Sequence, residues 1–240
     1  MPGAVQGAVG SAVEKDVGDV AQVSNATSAA SVQIADALRV EILNGELEPG
    51  TRIRQEDVAS RLGGSRLPVR EALRMLAAEG LVQLEAHKGA RVPVLDSGEV
   101  ENLYRMRERI EPLALVEGLP HLSESDLARI EEIQQRIEQG VTVRDFLVLD
   151  REFHLATYAG CTDQYLLSSV VRLWNATQHY RRAFMNLAGA GRMWTVNAEH
   201  RLLIDAIHRR DDEDAELYLL AHIRRTRKEL SRHPEVFAAR

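Results

Sequence analysis

The sequence predicts a mainly α chain in two parts: a small N-terminal unit of three helices closed by a short β-hairpin, and an all-α bundle of about six or seven helices behind it. Three observations carry this. Apolar residues recur at spacings of three and four along most of the chain, with capping residues and glycine stops between the runs. Residues 81–94 are the one place that reads as a pair of strands. Hydrophobic residues make up 45% of the 240 but aromatics only 5%, a balance typical of Leu/Ala/Val helix packing.

Residues 1–30 are rich in Ala, Val, Gly and Ser, without a basic start or a sustained apolar core, so they read as a disordered tail and not a signal peptide. The first domain spans 31–96. Its opening helix, 32–43, sets Val32, Ala35, Leu38 and Ile42 on one face and stops at Asn44-Gly45. A turn at Pro49-Gly50 leads to a second helix, 55–62, with Val58, Ala59 and Leu62 facing inward. Gly63-Gly64 supplies a tight corner before a third helix, for which Ser65 is a good N-cap and Pro68 sits in the tolerant first turn. Val69, Leu73 and Leu76 form its apolar face, while Arg66, Arg70 and Arg74 recur every fourth residue on another. An arginine fork suits both phosphate oxygens and the O6/N7 edge of guanine. On this helix alone, a solvated charged face weighs equally with a nucleic-acid contact.

The surroundings decide. Two helices joined by a short glycine turn make the helix-turn-helix pattern, whose second helix enters the major groove. Strands at 81–84 and 90–94 flank a loop, 85–89, that resembles a wing. Gly89 there lets backbone approach a groove wall, and Lys88 and Arg91 can meet phosphates. The DNA-contacting set is therefore Ser65, Arg66, Arg70, Arg74, Lys88 and Gly89. The run Leu62-Gly63-Gly64-Ser65-Arg66-Leu67-Pro68-Val69-Arg70-Glu71-Ala72-Leu73, with Gly45-Glu46-Leu47-Glu48-Pro49-Gly50 before it and Glu79-Gly80-Leu81-Val82 after it, resembles the winged-helix domain of GntR-family bacterial transcription regulators. Gly64 and Leu67 depart from that pattern, where a β-branched residue and a threonine are common. The resemblance implies that Arg66 and Arg70 meet bases or backbone.

Formal net charge is −6, yet between Arg61 and Arg91 six basic residues face three acidic ones. That local surplus is a modest footprint, and a dimer offering two copies to a two-fold symmetric duplex is the sensible way to use it. The single cysteine, Cys161, cannot form an intrachain disulfide, so a reducing, cytoplasmic setting is the simpler assumption, and no run is long enough to span a membrane.

From residue 97 to 233 the chain reads as helices: 99–118, 127–139, 142–158, 165–187, 195–208 and 212–231, with 234–240 as a C-terminal tail. The first carries a mixed apolar stripe, Leu103, Met106, Ile110, Leu113 and Ala114. Asp150 and His154 are four apart on one helix and project from one face, while His200 and His222 lie on the last two helices. Antiparallel packing could bring all four together, and three imidazoles with one carboxylate suit a first-row divalent ion. From spacing alone, surface or core positions remain the commoner meaning of such histidines.

Here Leu149-Asp150-Arg151-Glu152-Phe153-His154, then Glu199-His200-Arg201-Leu202-Leu203-Ile204-Asp205-Ala206-Ile207, then Ala215 and His222, resemble the FCD-type ligand-binding domain of the FadR-like branch of GntR regulators. The resemblance implies that Asp150, His154, His200 and His222 bind a divalent metal, with zinc favoured and nickel or manganese as the others. It also implies that Arg107 meets an effector carboxylate. Asn175 and, more weakly, Arg172 are further cavity candidates on the long middle helix. The expected function is a DNA-binding regulator, not an enzyme, controlled by a small carboxylate. The alternatives are a metal-dependent hydrolase or lyase with a DNA-binding appendage, or a regulator whose metal is purely structural. Against the first stands the want of a general base, since Glu152 and Glu199 adjoin ligands but are expected to point away.

Overall fold

A computed structural model describes residues 28–62, 65–86 and 89–237. Most of the expected tail (1–27), the corner Gly63-Gly64, Lys88 of the wing and residues 238–240 lie outside the described residues.

Helix α1 (28–44) buries Ile34, Ala35, Leu38 and Ile42, while Val32 is 43% exposed. Ile34 takes the place on this face that the spacing gives to Val32. The helix ends at Gly45, whose φ of 80° lets the amides of Glu46 and Leu47 turn back onto the Glu41 carbonyl. Strand β1 (Arg52–Ile53), helix α2 (Gln55–Arg61), helix α3 (Arg66–Ala78) and strands β2 (Gln83–Glu85) and β3 (Gly89–Arg91) complete the first unit. Val58, Val69, Leu73 and Leu76 are buried as the spacing predicts, but Leu62 is 39% exposed because α2 has already ended at Arg61. Ser65 occupies the N-cap of α3 in extended backbone, yet its hydroxyl makes no capping bond.

The sheet has the antiparallel order β1-β3-β2, so the hairpin gains a third strand that a two-residue run does not announce. Gly89 makes that strand possible: its φ is 97°, and a Cβ there would lie 2.1 Å from the Ile53 carbonyl oxygen. Glu85 spans the sheet, accepting from Arg52 at 2.7 Å and from Arg91 at 2.9 Å, and Arg91 also donates to the Gly50 carbonyl at 2.8 Å. Arg91, which the sequence offers to phosphate, is thus paired within the sheet, with its side chain 41% exposed.

The second unit contains six longer helices among the described residues: α4 (Ser97–Gly118), α5 (Glu124–Glu138), α6 (Val143–Thr157), α7 (Gln164–Ala188), α8 (Met193–Arg209) and α9 (Asp212–Leu230). Asp96 and Ser123 form full capping boxes with Glu99 and Asp126, and Thr142 and Asp211 cap α6 and α9. Helix α4 packs on α9 and α7, α5 on α6 and α8, and α8 on α9, so the middles of α4, α6, α7, α8 and α9 converge. Gly118 and Gly160 close one end of the bundle, where a Cβ on Gly160 would lie 2.1 Å from the Gly118 carbonyl oxygen. Residues 234–237, assigned by composition to a tail, form a short turn with Val236 buried and Phe237 stacked 5.4 Å from Tyr180.

The apolar stripe read on α4 is split: Ala114 is buried and Leu103 and Ile110 are half-buried, but its other two members face out. Met106 and Leu113 are each 49% exposed, whereas Tyr104, Arg107, Glu108 and Glu111 are buried. The inner face of this helix is polar because it lines the bundle's chemical centre.

The two units meet through named bonds. Asn175 on α7 donates to the carbonyl of Glu79, the C-cap of α3, at 2.8 Å and accepts from Arg151 on α6 at 2.8 Å. Arg182 donates to the Leu43 carbonyl at the end of α1 at 3.0 Å. Tyr180 bonds both the amide and the carbonyl of Leu95 in the linker, at 2.6 and 2.9 Å.

Candidate functional site

Phe146, Leu149 and Phe153 fix the rotation of α6, and that rotation turns Asp150 and His154 inward together. Val196, Leu203 and Ile204 do the same for His200 on α8, and Ala215, Leu219 and Ile223 for His222 on α9. The four side chains are buried, and one ligand atom from each lies within 4.8 Å of the others. His200 and His222 have ring centres 5.0 Å apart, and His154 sits 5.1 Å from His222 and 5.5 Å from His200. The juxtaposition expected from antiparallel packing is present.

The protons can be placed. Gln134 donates its amide nitrogen to Glu138 at 3.1 Å and to Asn197 at 3.2 Å, which leaves its oxygen facing His200 Nδ1 at 2.7 Å. That oxygen only accepts, so Nδ1 carries the hydrogen and His200 Nε2 presents a lone pair to the cluster. Nε2 is buried with no hydrogen-bond partner, 3.6 Å from Asp150 Oδ1. Glu199 holds His222 by the same logic, its carboxylate 2.9 Å from Nδ1. Glu199 therefore does not point away, as its place next to His200 suggests. The approach of α9 along the flank of α8 brings His222 to it. An orphaned acceptor nitrogen among three further donors, with outer partners fixing two rings, fits a metal ligand set, and the cluster could hold a metal ion.

Charge in this centre is balanced locally. Arg181 on α7 pairs with Asp150 Oδ2. Burial raises the Asp150 pKa, but the Arg181 charge, with His200 and His222, outweighs it and holds the carboxyl below its ordinary value. Burial, reinforced by neighbouring His222, pushes His200 down to about 3 and His154 well below its usual range. Both imidazoles thus stay neutral in the folded metal-free protein at pH values where an unfolded chain takes up protons. Stability of metal-free protein is therefore full above about pH 6.5 and falls as pH drops below it, by about 1.4 kcal/mol per pH unit for each histidine held neutral. Urea unfolding at pH 7 and pH 5 measures this, and a flat profile would contradict the burial argument.

Beside the cluster, Arg107 donates to Glu111 at 2.5 Å and to Thr177 at 3.2 Å, and its guanidinium carbon lies 4.2 Å from the Trp174 ring centre. Tyr158 and Trp174 donate to the other Glu111 oxygen at 2.8 and 3.0 Å, and Arg181 stacks 4.4 Å from Trp174. The buried Tyr104 hydroxyl has no partner. Arg107 is thus buried and paired in the centre of the bundle, close enough for its charge to bear on His154. Asn175 instead has both ends of its amide engaged between the units, and Arg172 backs onto Gly80. Sequence reasoning missed Glu111, Gln134, Tyr158, Trp174 and Arg181, which lack a motif of their own; only the Arg107–Glu111 spacing of four hints at a pair.

At the other end of the molecule, Arg66, Arg70 and Arg74 have side chains 71%, 52% and 55% exposed on α3. Among the described residues their ionic neighbours are Glu56 at 2.5 Å and Glu71 at 3.7 and 2.8 Å, exposed pairs that are readily exchanged for phosphate. Leu67 is exposed beside them, and Gly89 sits at the base of the wing.

A three-helix unit with an exposed arginine helix and a hairpin, joined to a helical bundle with a buried polar centre, defines a two-domain winged-helix protein. Residues 30–92 match the family described as bacterial regulatory proteins, gntR family, and residues 102–225 match the FCD domain. The chain belongs to the GntR family of bacterial transcription regulators, in the branch with an FCD domain, and it is not an enzyme. It is 28% identical over 195 residues to an uncharacterized HTH-type transcriptional regulator, YdhC, of Bacillus subtilis (strain 168), covering 80% of this chain and 86% of that one. It is 30% identical over 194 residues to a probable D-xylose utilization operon transcriptional repressor of Paenarthrobacter nicotinovorans, covering 80% and 84%. Escherichia coli McbR/YncC shares the fold, with a TM-score of 0.74 at 23% identity over 85% of this chain and 98% of that one.

Proposed function

We propose that this regulator holds a divalent metal on Asp150, His154, His200 and His222, zinc being the best match to the donor set, and that a small carboxylate bound beside it controls affinity for DNA. The observation that carries the reading is the orphaned lone pair of His200 Nε2, aimed into the cluster with its tautomer fixed from outside. When bound, the ion would act as a Lewis acid offering open coordination positions to an oxygen ligand. Charge arithmetic supports the ligand class. The buried centre already pairs Arg107 with Glu111 and Arg181 with Asp150, so a divalent ion adds positive charge that no described side chain there offsets. An organic carboxylate would supply the balance, with Arg107 and the Tyr104 hydroxyl, which lacks a hydrogen-bond partner, as its bonding groups. Asn175 joins this reading as a positioning residue: it links the metal helix, through Arg151, to the C-cap of the recognition helix.

Duplex DNA is the partner of Ser65, Arg66, Arg70, Arg74, Lys88 and Gly89, and the cytoplasm the place where it meets them; among the described residues no helix is long and apolar enough to cross a membrane. A homodimer accounts for the outer face of α4. Leu103, Met106, Ile110 and Leu113 follow the three-four spacing of a helix–helix seam, with Met106 and Leu113 half exposed. The test is fluorescence anisotropy of metal-loaded protein on a duplex selected from random sequence, with and without a panel of small mono- and dicarboxylates. At least one is expected to shift affinity by about ten-fold or more, and Arg107→Met is expected to remove the shift. If none changes affinity while a chelator still lowers the melting temperature, the metal is structural and sensing fails.

A further inference from the structure

A cleft lies between the two units, apart from the Asp150, His154, His200 and His222 cluster. The end of α1, α6 and α7 enclose a cleft of about 540 Å³, within the roughly 300–1,000 Å³ of small-molecule pockets. Val40 and Leu43 line it from the DNA-binding unit, and Val148 and Leu155 from the bundle. Two guanidiniums, those of Arg151 and Arg182, complete the wall, and among the described residues neither has a carboxylate within 4.0 Å.

Arg151 is the telling residue. Its Nη2 donates to Asn175, a neutral amide, and its Nη1 is buried with no hydrogen-bond partner. Arg182 is half-buried and, among the described residues, bonds the Leu43 carbonyl and His179. A desolvated guanidinium without a counter-charge is costly, and proteins rarely keep one unless something anionic completes it. Elsewhere in the bundle interior the rule is kept, since Arg107 and Arg181 each have a carboxylate. The acids near the cleft do not pair with Arg151 or Arg182: Glu79, whose charge reaches Arg151, is bonded by Arg39, Glu48, whose charge reaches Arg182, is exposed, as is Glu46, and Glu152 leans toward Arg129 at 3.8 Å on the surface.

We infer that this cleft binds an amphipathic organic anion, one carboxylate on an apolar body, with the carboxylate on Arg151 and Arg182 and the apolar part against Val40, Leu43, Val148 and Leu155. Because the cleft walls come from both units, its occupant bridges them.

The test is isothermal titration of full-length, metal-loaded protein with octanoate, with acetate and inorganic phosphate as comparisons. Octanoate is expected to bind one per chain, at least about ten-fold tighter than either comparison. Arg151→Gln and, separately, Val148→Glu are each expected to weaken it by about ten-fold or more. Val148 is 47% exposed, so its variant keeps the fold even if the arginine variant does not. His154→Ala, which breaks the metal cluster, is expected to leave octanoate binding within about two-fold. The inference is overturned if octanoate does not bind, if phosphate binds as well, or if binding is lost in His154→Ala and kept in Val148→Glu. It also fails if Val148→Glu splits a dimer while octanoate has no effect, since the cleft is then a contact between copies.

Discussion

Stripping the ion from metal-loaded protein with a chelator is expected to lower its melting temperature by about 8–16 °C, the effect of about 4 kcal/mol when free metal exceeds its Kd a thousand-fold, at about 2–4 °C per kcal/mol for a chain of this size. The reasoning starts from what the four donors do without metal. His154 and His200 stay neutral through burial, and His200 Nε2 has nothing to bond. Asp150 is shared with Arg181, which uses Oδ2 and leaves Oδ1 facing the histidines. Metal-free protein therefore keeps a packed but under-satisfied centre, and ligation converts its desolvation cost into binding. His154→Ala should melt at the same temperature with and without chelator, because three donors remain where four were set. Gln134→Leu is the subtler variant. It frees the His200 ring from its tautomer and should weaken metal affinity by about 10–100-fold without touching a ligand. Scanning calorimetry with a metal-buffered titration reads both, and identical melting of wild-type protein with and without chelator would refute the metal centre.

How much of this centre is legible in the sequence depends on whether a residue announces itself locally. Asp150 and His154 do, because four residues along a helix return to the same face. His200 and His222 are legible only through the assumption of antiparallel packing, which the bundle meets. Glu199 is misread because a one-residue step suggests the opposite face, while the crossing of α8 and α9 turns that flank toward His222. Arg107 sits among other charged residues, Arg105, Glu108 and Arg109, so only the resemblance singles it out, and its Glu111 and Trp174 partners come from helical register and from α7, neither visible in a motif. The stripe on α4 shows the same limit from the other side: period alone marks an apolar face without saying whether the core or another molecule covers it. In the N-terminal unit, the arginine helix is fully legible, whereas β1 has only two residues and depends on Gly89 accepting a backbone approach that other residues forbid.

Arg70→Ala is expected to weaken binding to a selected duplex by about 1–3 kcal/mol per half-site, and Arg66→Ala by a similar amount. Both side chains are more than half exposed on the face of α3 away from Val69, Leu73 and Leu76, so truncation removes contacts to DNA without disturbing the core. The whole chain carries a net charge of −6, so long-range attraction gives little help and affinity rests on this short basic face. That makes the two arginines separable by their salt dependence. If one meets a phosphate, its loss should reduce the slope of log affinity against log salt by about one and weaken all sequences alike; if it reads a guanine edge, the slope should hold and discrimination at one position should relax. Arg105→Ala, on the surface of α4 and paired with Glu101 at 2.9 Å, serves as the control that loses a charge elsewhere. Anisotropy at several salt concentrations distinguishes these outcomes. Binding by both α3 variants within about two-fold of wild type would mean that the arginine helix is a solvated face after all.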